Sequence, residues 1–155
     1  MTPQCRIDIG RWLAPERVIR FPANTPRRNA VMELATVTVH GWDLERQQAF
    51  IQAIIDRENV ATTAIGCGAA IPHARLAGLP EARISLGLCP EGLEWTGPDH
   101  QPVRILTLIA TRDEDHAEHL RLLAALAARL RDTGRIQRTV AATDPSLAIA
   151  LLAND

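Results

Sequence analysis

The chain has 155 residues, of which 46% are hydrophobic and 23% are charged, and it carries a formal net charge of -1 at pH 7. This length and composition predict one folded domain over residues 1–155 with a sizeable hydrophobic core. The seventeen basic residues, all of them arginine, are balanced by eighteen acidic residues, which argues against a broadly basic face that binds nucleic acid.

Neither a membrane-spanning helix nor a secretory signal is apparent in the sequence. Uncharged apolar runs such as residues 122–128 are far shorter than the ~20 residues that a bilayer-spanning helix needs. Residues 1–6 lack the basic start and apolar block of a signal peptide, so we expect a cytoplasmic protein. Cys5, Cys67 and Cys89 are odd in number and widely separated, which predicts reduced and mostly buried thiols.

The first half of the chain predicts a strand followed by two helices. Residues 18–21 form the strand, and Thr25 is positioned to cap a helix with Pro26 at its first position. Asp43 is positioned to cap a second helix that ends near residues 57–59. The residues predicted to face the core are Val31, Leu34 and Ala35 in the first helix, and Leu44, Phe50, Ile51, Ile54 and Ile55 in the second.

The second half predicts two strands and three helices. Residues 84–88 alternate as in a half-buried strand, residues 103–110 are a nearly continuous apolar strand, and residues 90–102 form a turn-rich link. Asp115 and Glu118 fit a capping box for a third helix. Its buried stripe is predicted to contain His119, Leu123, Leu126 and Leu130. Two further helices are expected, one over residues 135–142 and one from Asp144 and Pro145 through Leu151.

The order of these elements predicts the fold class. Strands alternate with pairs of helices, and no ladder of hairpins is apparent. The pattern is typical of an α/β protein, with a single mixed β-sheet sandwiched between α-helices in three layers.

A glycine-rich segment ends in a histidine that is a candidate catalytic residue. Residues 64–74 read Ala-Ile-Gly-Cys-Gly-Ala-Ala-Ile-Pro-His-Ala. Pro72 fixes its own backbone angle and pushes Ile71 toward an extended conformation, which aims His73 in a defined direction. Gly66 and Gly68 can adopt backbone angles closed to other residues and let a ligand approach the main chain, so they are candidate phosphate-binding residues. Taken alone, a single histidine in such a loop is more often structural or surface-exposed.

Two further blocks stand at fixed distances from this histidine. Arg57-Glu58 precedes His73 by sixteen residues, and His119-Leu120 follows it by forty-six. Together with residues 65–73 and residues 99–103, these blocks resemble the enzyme IIA components of the phosphoenolpyruvate-dependent sugar phosphotransferase system. The resemblance is to the fructose, mannitol and nitrogen-regulatory type, the EIIA type-2 domain, and it extends over nearly the whole chain.

The resemblance implies a phosphotransferase that carries its phosphoryl group on His73. It implies that His119 donates a hydrogen bond to that group and that Arg57 neutralises its charge. The implied donor is a phosphorylated HPr-type carrier protein, and the implied recipient is a IIB domain or a regulatory target protein, with no metal or cofactor. The short chain and the block at residues 99–103 favour the nitrogen-regulatory kind over a sugar-specific component.

Two other functions remain open at this stage. The same fold would also suit a binding module that holds an anion or a partner loop without transferring phosphate. The carboxylate-rich start of the third helix allows a metal hydrolase that uses His73, His116 and His119.

Individual site residues have simpler interpretations as well. Arg57 could complement its helix dipole in solvent, and His119 could be a core histidine bonded to a carbonyl group. Glu58 is expected to orient Arg57 or the loop. Cys67 raises the hypothesis of a redox-sensitive thiol near the site. His116, His40 and His100 are predicted to be solvated surface residues.

Overall fold

The computed structural model describes residues 7–154 and contains helices and strands in mixed order. Two short 3-10 helices, Ile9–Trp12 and Pro15–Arg17, come first. The five α-helices within residues 7–154 are α1 (Arg27–Thr38), α2 (Leu44–Val60), α3 (His116–Arg129), α4 (Thr133–Ala141) and α5 (Pro145–Ala153). The six strands are β1 (Val18–Arg20), β2 (Ala64–Gly66), β3 (Ala69–Ala70), β4 (His73–Leu76), β5 (Arg83–Leu93) and β6 (Val103–Arg112).

The six strands of the described residues form one mixed sheet. Five of them follow the order β1-β5-β6-β3-β2, and β4 also pairs with β6. The long strands β5 and β6 pair antiparallel at its centre, whereas β1 runs parallel to β5. Both β3 and β4 run parallel to β6, with Ala69 opposite Ile105 and His73 opposite Ile109. They are therefore two successive segments along one side of β6, interrupted at Ile71 and Pro72.

Apolar residues are buried on both faces of this sheet. On one face, α1 and α2 bury residues such as Leu34, Phe50 and Ile54 against the sheet. On the other face, α3, α4 and α5 bury residues such as Leu122 and Leu152. The predicted three-layer α/β fold, with one mixed sheet between helices, is confirmed.

Some local predictions were wrong at helix starts. Thr25 does not cap α1, because its hydroxyl donates to the carbonyl oxygen of Pro22 and Pro26 takes the N-cap position. Asp115 is the N-cap of α3, but its side chain accepts no backbone hydrogen bond there, so the predicted capping box is not formed. Leu44 was expected in the core but is 67% exposed, because it is the first residue of α2.

The strand predictions also needed corrections. Residues 84–88 are buried on both faces rather than half-buried. Ser85 lies inward because its hydroxyl shares a 2.6 Å hydrogen bond with that of Thr38, and a side chain at Gly87 would meet Phe21. The strand β5 extends to Leu93, into the segment predicted as a link. The glycine-rich segment contains a tight hairpin of β2 and β3, and His73 begins the strand β4.

No helix in residues 7–154 is both long enough and apolar enough to cross a bilayer.

Candidate functional site

His73 begins the edge strand β4, and its half-buried ring is held by a local hydrogen bond. The backbone reaches it through Pro72, whose carbonyl oxygen accepts from the Ile109 amide of β6. The ring nitrogen Nδ1 lies 2.7 Å from the carbonyl oxygen of Ile71. Since a carbonyl can only accept, Nδ1 must carry the proton, and Nε2 is left with a free lone pair.

His119 lies in the first turn of α3, close to His73. The two ring centroids are 5.5 Å apart and the ring planes are tilted by 53°. His119 is only 5% exposed, and its Nδ1 lies 2.6 Å from the hydroxyl of the buried Thr111 on β6. The predicted approach of these two imidazoles, forty-six residues apart in sequence, is confirmed.

Arg57 reaches the same place from the last turn of α2. A cleft of about 330 Å³ opens at the sheet edge between α2 and α3. Its lining residues are Ala53, Arg57, His73, Ala74, Arg75, Asp113 and His119. The guanidinium of Arg57 also donates to the carbonyl oxygen of Ala61, just beyond the helix end, at 3.1 Å. The structure therefore brings together the three residues that the sequence singled out.

Glu58 supports the loop that follows α2. Its carboxylate accepts a hydrogen bond from the Thr63 hydroxyl, and the residue is 9% exposed. Two roles were expected for Glu58 from the sequence, orienting Arg57 or orienting the loop. The contact with Thr63 is the loop-orienting one.

Sequence reasoning missed two residues of the site: Arg75, which lines the cleft, and Thr111, which contacts His119. Arg75 stands two residues after His73, and residues at this spacing in a strand point to the same face. This spacing could have identified Arg75 from the sequence. Thr111 could not be found this way, because its contact with His119 depends on how α3 packs against β6.

Both imidazoles favour their neutral forms. Burial lowers the pKa of His73, and the positive charges of Arg57 and Arg75 lower it further, while the Ile71 carbonyl and Glu58 oppose this. Burial lowers the pKa of His119 to about 4, with help from His73 and Arg75. Near neutral pH the cleft therefore presents two uncharged rings beside two guanidinium groups.

Gly66 and Gly68 form the turn between β2 and β3, and both have the positive φ expected of them, 89° and 80°. The backbone amide of Cys67, between them, donates to the Asp99 carboxylate at 2.9 Å. The two backbone hydrogen bonds that Asp99 accepts, from Cys67 and Gln101, lower the pKa of its carboxyl group. Neither glycine is among the residues that line the cleft, and their phosphate-binding role stays a prediction.

The cysteines differ in exposure. Cys89 is buried as predicted, and burial raises the pKa of its thiol to about 12. Cys67 is exposed, so the prediction of burial was wrong for it. It lines a depression with Gly68 and Arg104, not the cleft of His73. Cys5 lies outside the described residues.

The other histidines are on the surface. His40 and His100 are exposed, as predicted. His116 is exposed at the start of α3, but it is not simply solvated, because its Nδ1 contacts the Arg75 guanidinium. Within residues 7–154, no group of three or more His, Cys, Asp and Glu side chains is arranged to hold a metal ion. The metal-hydrolase alternative therefore lacks a ligand set in this part of the chain.

An apolar groove of about 460 Å³ lies beside the cleft. Leu120 and Ile65 line it and are 52% and 39% exposed. Leu123 and Ile71 also line the groove. The site thus combines a polar cleft with an adjoining apolar surface, and His73 and Arg57 line both.

Residues 13–155 match the family model described as "Phosphoenolpyruvate-dependent sugar phosphotransferase system, EIIA 2". The chain belongs to this EIIA family. Its members are phosphotransferase components that carry phosphoryl groups between proteins.

Relatives of two kinds are similar to the chain. The fructose-specific EIIABC component of Bacillus subtilis is 33% identical over 104 residues, which are 67% of this chain and 16% of that protein. The nitrogen regulatory protein of Bradyrhizobium diazoefficiens is 28% identical over 147 residues, 95% of each chain. The mannitol-specific enzyme IIA component of Staphylococcus aureus is 38% identical over 101 residues, 61% of this chain and 63% of that protein. The chain therefore spans a small part of the Bacillus protein and most of the Bradyrhizobium protein.

Solved structures share the fold. The nitrogen regulatory protein IIA-Ntr of Neisseria meningitidis superposes with a TM-score of 0.83 at 21% identity, over 93% of this chain and 98% of that chain. The mannitol enzyme IIA of Escherichia coli, solved in a complex with phosphorylated enzyme IIB, gives a TM-score of 0.73 at 22% identity. That match covers 92% of this chain and 98% of the other.

Proposed function

We propose that the protein is a phosphocarrier that accepts a phosphoryl group on Nε2 of His73 from a phosphorylated HPr-type carrier protein. The observation that carries this proposal is the imidazole pair. Nε2 of His73 is unprotonated because Nδ1 donates to the Ile71 carbonyl, and a second neutral imidazole lies 5.5 Å away, ring to ring. A site of this kind offers a nucleophile with no proton to remove.

The transfer balances without an external acid or base. Nε2 of His73 forms a bond to phosphorus while the bond from phosphorus to the donor imidazole breaks, and that electron pair returns to the donor ring. The His73 ring keeps its proton on Nδ1 and gains positive character, which the Ile71 carbonyl oxygen stabilises through the 2.7 Å hydrogen bond. Positioning and charge compensation then supply the catalysis, as is usual for phosphoryl transfer.

His119 and Arg57 compensate the charge of the arriving group. The Thr111 hydroxyl can donate to Nδ1 of His119, which leaves the His119 proton on Nε2, free to bond a phosphoryl oxygen. Arg57 lines the same cleft and can bind two phosphoryl oxygens at once through its fork of N–H groups. Charge-assisted bonds of this kind are roughly twice as strong as neutral ones.

The apolar groove supports docking of a protein partner beside His73. Leu120 and Ile65 are exposed there, and apolar groups at the centre of an interface exclude water from the charged groups next to them. A carrier protein docked on the groove would present its own phosphohistidine to the cleft. A cytoplasmic location is part of the proposal, since an HPr-type donor would be met there.

We assign the chain to the nitrogen-regulatory kind, in which the phosphorylation state controls binding to a target protein. The match to the Bradyrhizobium nitrogen regulatory protein, which extends over 95% of both chains, supports this. The second candidate is a sugar-specific component that donates to a IIB domain. It is favoured by the 38% identity to the Staphylococcus mannitol component. Residues 1–155 are proposed to act as one EIIA domain in either case, supported by the family match over residues 13–155.

A phosphorylation assay tests the phosphocarrier proposal. The purified protein is incubated with phosphoenolpyruvate, enzyme I and HPr, and one acid-labile phosphate is expected. His73→Ala should take up none, His119→Ala should take it up more slowly, and His40→Ala, which changes an exposed histidine, should match the wild type. Absence of label on folded wild-type protein would refute the proposal and favour a non-catalytic binding module.

The labelled protein also separates the two kinds of recipient. Transfer to purified fructose or mannitol IIB domains would support the sugar-specific candidate. Retention of the label in their presence, with target binding that depends on phosphorylation, would support the nitrogen-regulatory kind.

A further inference from the structure

Arg75 is a second arginine of the cleft whose position none of the roles above explains. It lies on β4 two residues after His73, opposite Thr111 of β6. Residues at this spacing project from the same face of a strand, and Arg75 lines the cleft together with Arg57 and His119. It is exposed, so packing does not require a charged side chain at this position.

The side chain that Arg75 contacts does not neutralise the positive charge of the Arg75 guanidinium. One of its N–H groups contacts Nδ1 of His116. Because a guanidinium can only donate, Nδ1 of His116 accepts, and an imidazole brings no negative charge to the pair. Arg83, by contrast, pairs with the carboxylate of Glu81 at 2.8 Å. Asp113 also lines the cleft, but no ion pair joins it to Arg75 within the described part of the chain.

One guanidinium does not neutralise the full negative charge of a phosphoryl group. A phosphoryl group carries a charge of about −1.5 to −2 at neutral pH, of which Arg57 can neutralise one unit. Arg75 already acts on both rings electrostatically, since its charge lowers the pKa of His73 and of His119. A cation that disfavours a positive ring will favour a negative group placed on that ring.

We propose that Arg75 is a further catalytic residue, which leaves His116 and binds the phosphoryl group on Nε2 of His73 together with Arg57. This inference rests on the proposed function. In the unphosphorylated protein His116 keeps the guanidinium at the rim of the cleft, which limits the side-chain freedom lost when it binds. The phosphoryl group is then held between two cations, one from α2 and one from β4.

Chemical phosphorylation tests this role without any partner protein. Phosphoramidate transfers its phosphoryl group directly to histidine rings, and the signal of His73 is the ³¹P resonance that His73→Ala lacks. The pH titration of that resonance measures how tightly the phosphoryl group binds its last proton. A neighbouring cation weakens this proton binding, so Arg75→Gln should bind the proton about tenfold more tightly than the wild type.

Two further variants make the result specific. Arg131→Gln removes the same charge from an exposed arginine beyond the far end of α3, about 20 Å from its first turn, and should titrate as the wild type. Arg75→Lys keeps the charge but not the fork, and should give an intermediate value. Both arginines are exposed, so the variants should unfold as the wild type does.

The outcomes separate this inference from the phosphocarrier proposal. Equal titrations for Arg75→Gln and Arg131→Gln would overturn the role of Arg75, even if HPr phosphorylates the protein. Failure of HPr to phosphorylate a protein whose ³¹P titration depends on Arg75 would refute the carrier function alone. If phosphoramidate does not load His73 of the wild type, phosphorylation through HPr supplies the same resonance for the titration. A folded wild-type protein that neither donor loads at His73 would overturn both.

Discussion

The hydrogen bond between Thr111 and His119 is predicted to stabilise the folded protein. A second threonine on the same strand provides the control for testing this. Thr111→Val removes the hydroxyl with little change in shape and leaves Nδ1 of His119, on a ring that is 5% exposed, without its 2.6 Å partner. Leaving a buried polar atom unsatisfied costs about 1–3 kcal/mol. The free energy of unfolding should fall by that amount, which for a chain of this size lowers Tm by roughly 2–4 °C per kcal/mol.

The control is Thr107→Val. Thr107 is also fully buried on β6, but its hydroxyl has no hydrogen-bond partner among the described residues. Removing that hydroxyl should leave stability unchanged or raise it. Urea unfolding of the two variants measures the difference, expected to be about 1 kcal/mol or more.

The same variant tests the tautomer of His119. With the hydroxyl gone, nothing holds the proton on Nε2, and ¹⁵N spectra should show more of the other neutral tautomer. Equal stability of Thr111→Val and Thr107→Val, with an unchanged tautomer, would refute the reasoning about this bond.

Three further predictions follow from burial and charge. The pKa of His119 is about 4 in the folded protein and near 6.5 in the unfolded chain. Between these pH values the unfolded chain binds more protons, so the free energy of unfolding should fall as pH drops from about 6.5 to about 4. Urea unfolding at both pH values measures this fall, and His119→Gln should reduce it; an equal fall in the variant would contradict the assignment. Gly87→Ala places a methyl group 2.9 Å from the Phe21 ring. Thermal unfolding should show that the folded protein is destabilised by about 1–3 kcal/mol. Unchanged stability would contradict this prediction and show that the core rearranges around the added methyl group. Glu58→Gln keeps an acceptor for the Thr63 hydroxyl but removes a negative charge that raises the pKa of His73. NMR titration should therefore show a lower His73 pKa in the variant. An unchanged or higher pKa would contradict this prediction.

The parts of the site that sequence could predict are those set by local patterns. His73 was found from the glycine and proline residues before it, and the inward position of His119 followed from helical spacing. Arg57 was found through the family resemblance, since its local sequence fits an ordinary solvated arginine equally well.

The parts that sequence missed depend on contacts between elements. Thr111 is one residue of an apolar strand, and only the packing of α3 on β6 turns its hydroxyl toward His119. Ser85 was interpreted as solvent-facing because the alternation of β5 looks half-buried, yet its bond with Thr38 of α1 allows it to be buried. The predicted cap of α1 was wrong because of a competing local hydrogen bond. The Thr25 hydroxyl donates to the carbonyl oxygen of Pro22 and does not bond to the first turn of α1.

The most direct test of the central claim is the chemical identity of the phosphorylated atom. The protein is phosphorylated through HPr with ¹⁵N-labelled histidine, and the coupling of phosphorus to nitrogen is measured by NMR. One phosphate bonded to Nε2 of His73, with Nδ1 still protonated, is the predicted result. Attachment at Nδ1 of His73, attachment to His119, or no phosphate on the folded protein would contradict the account.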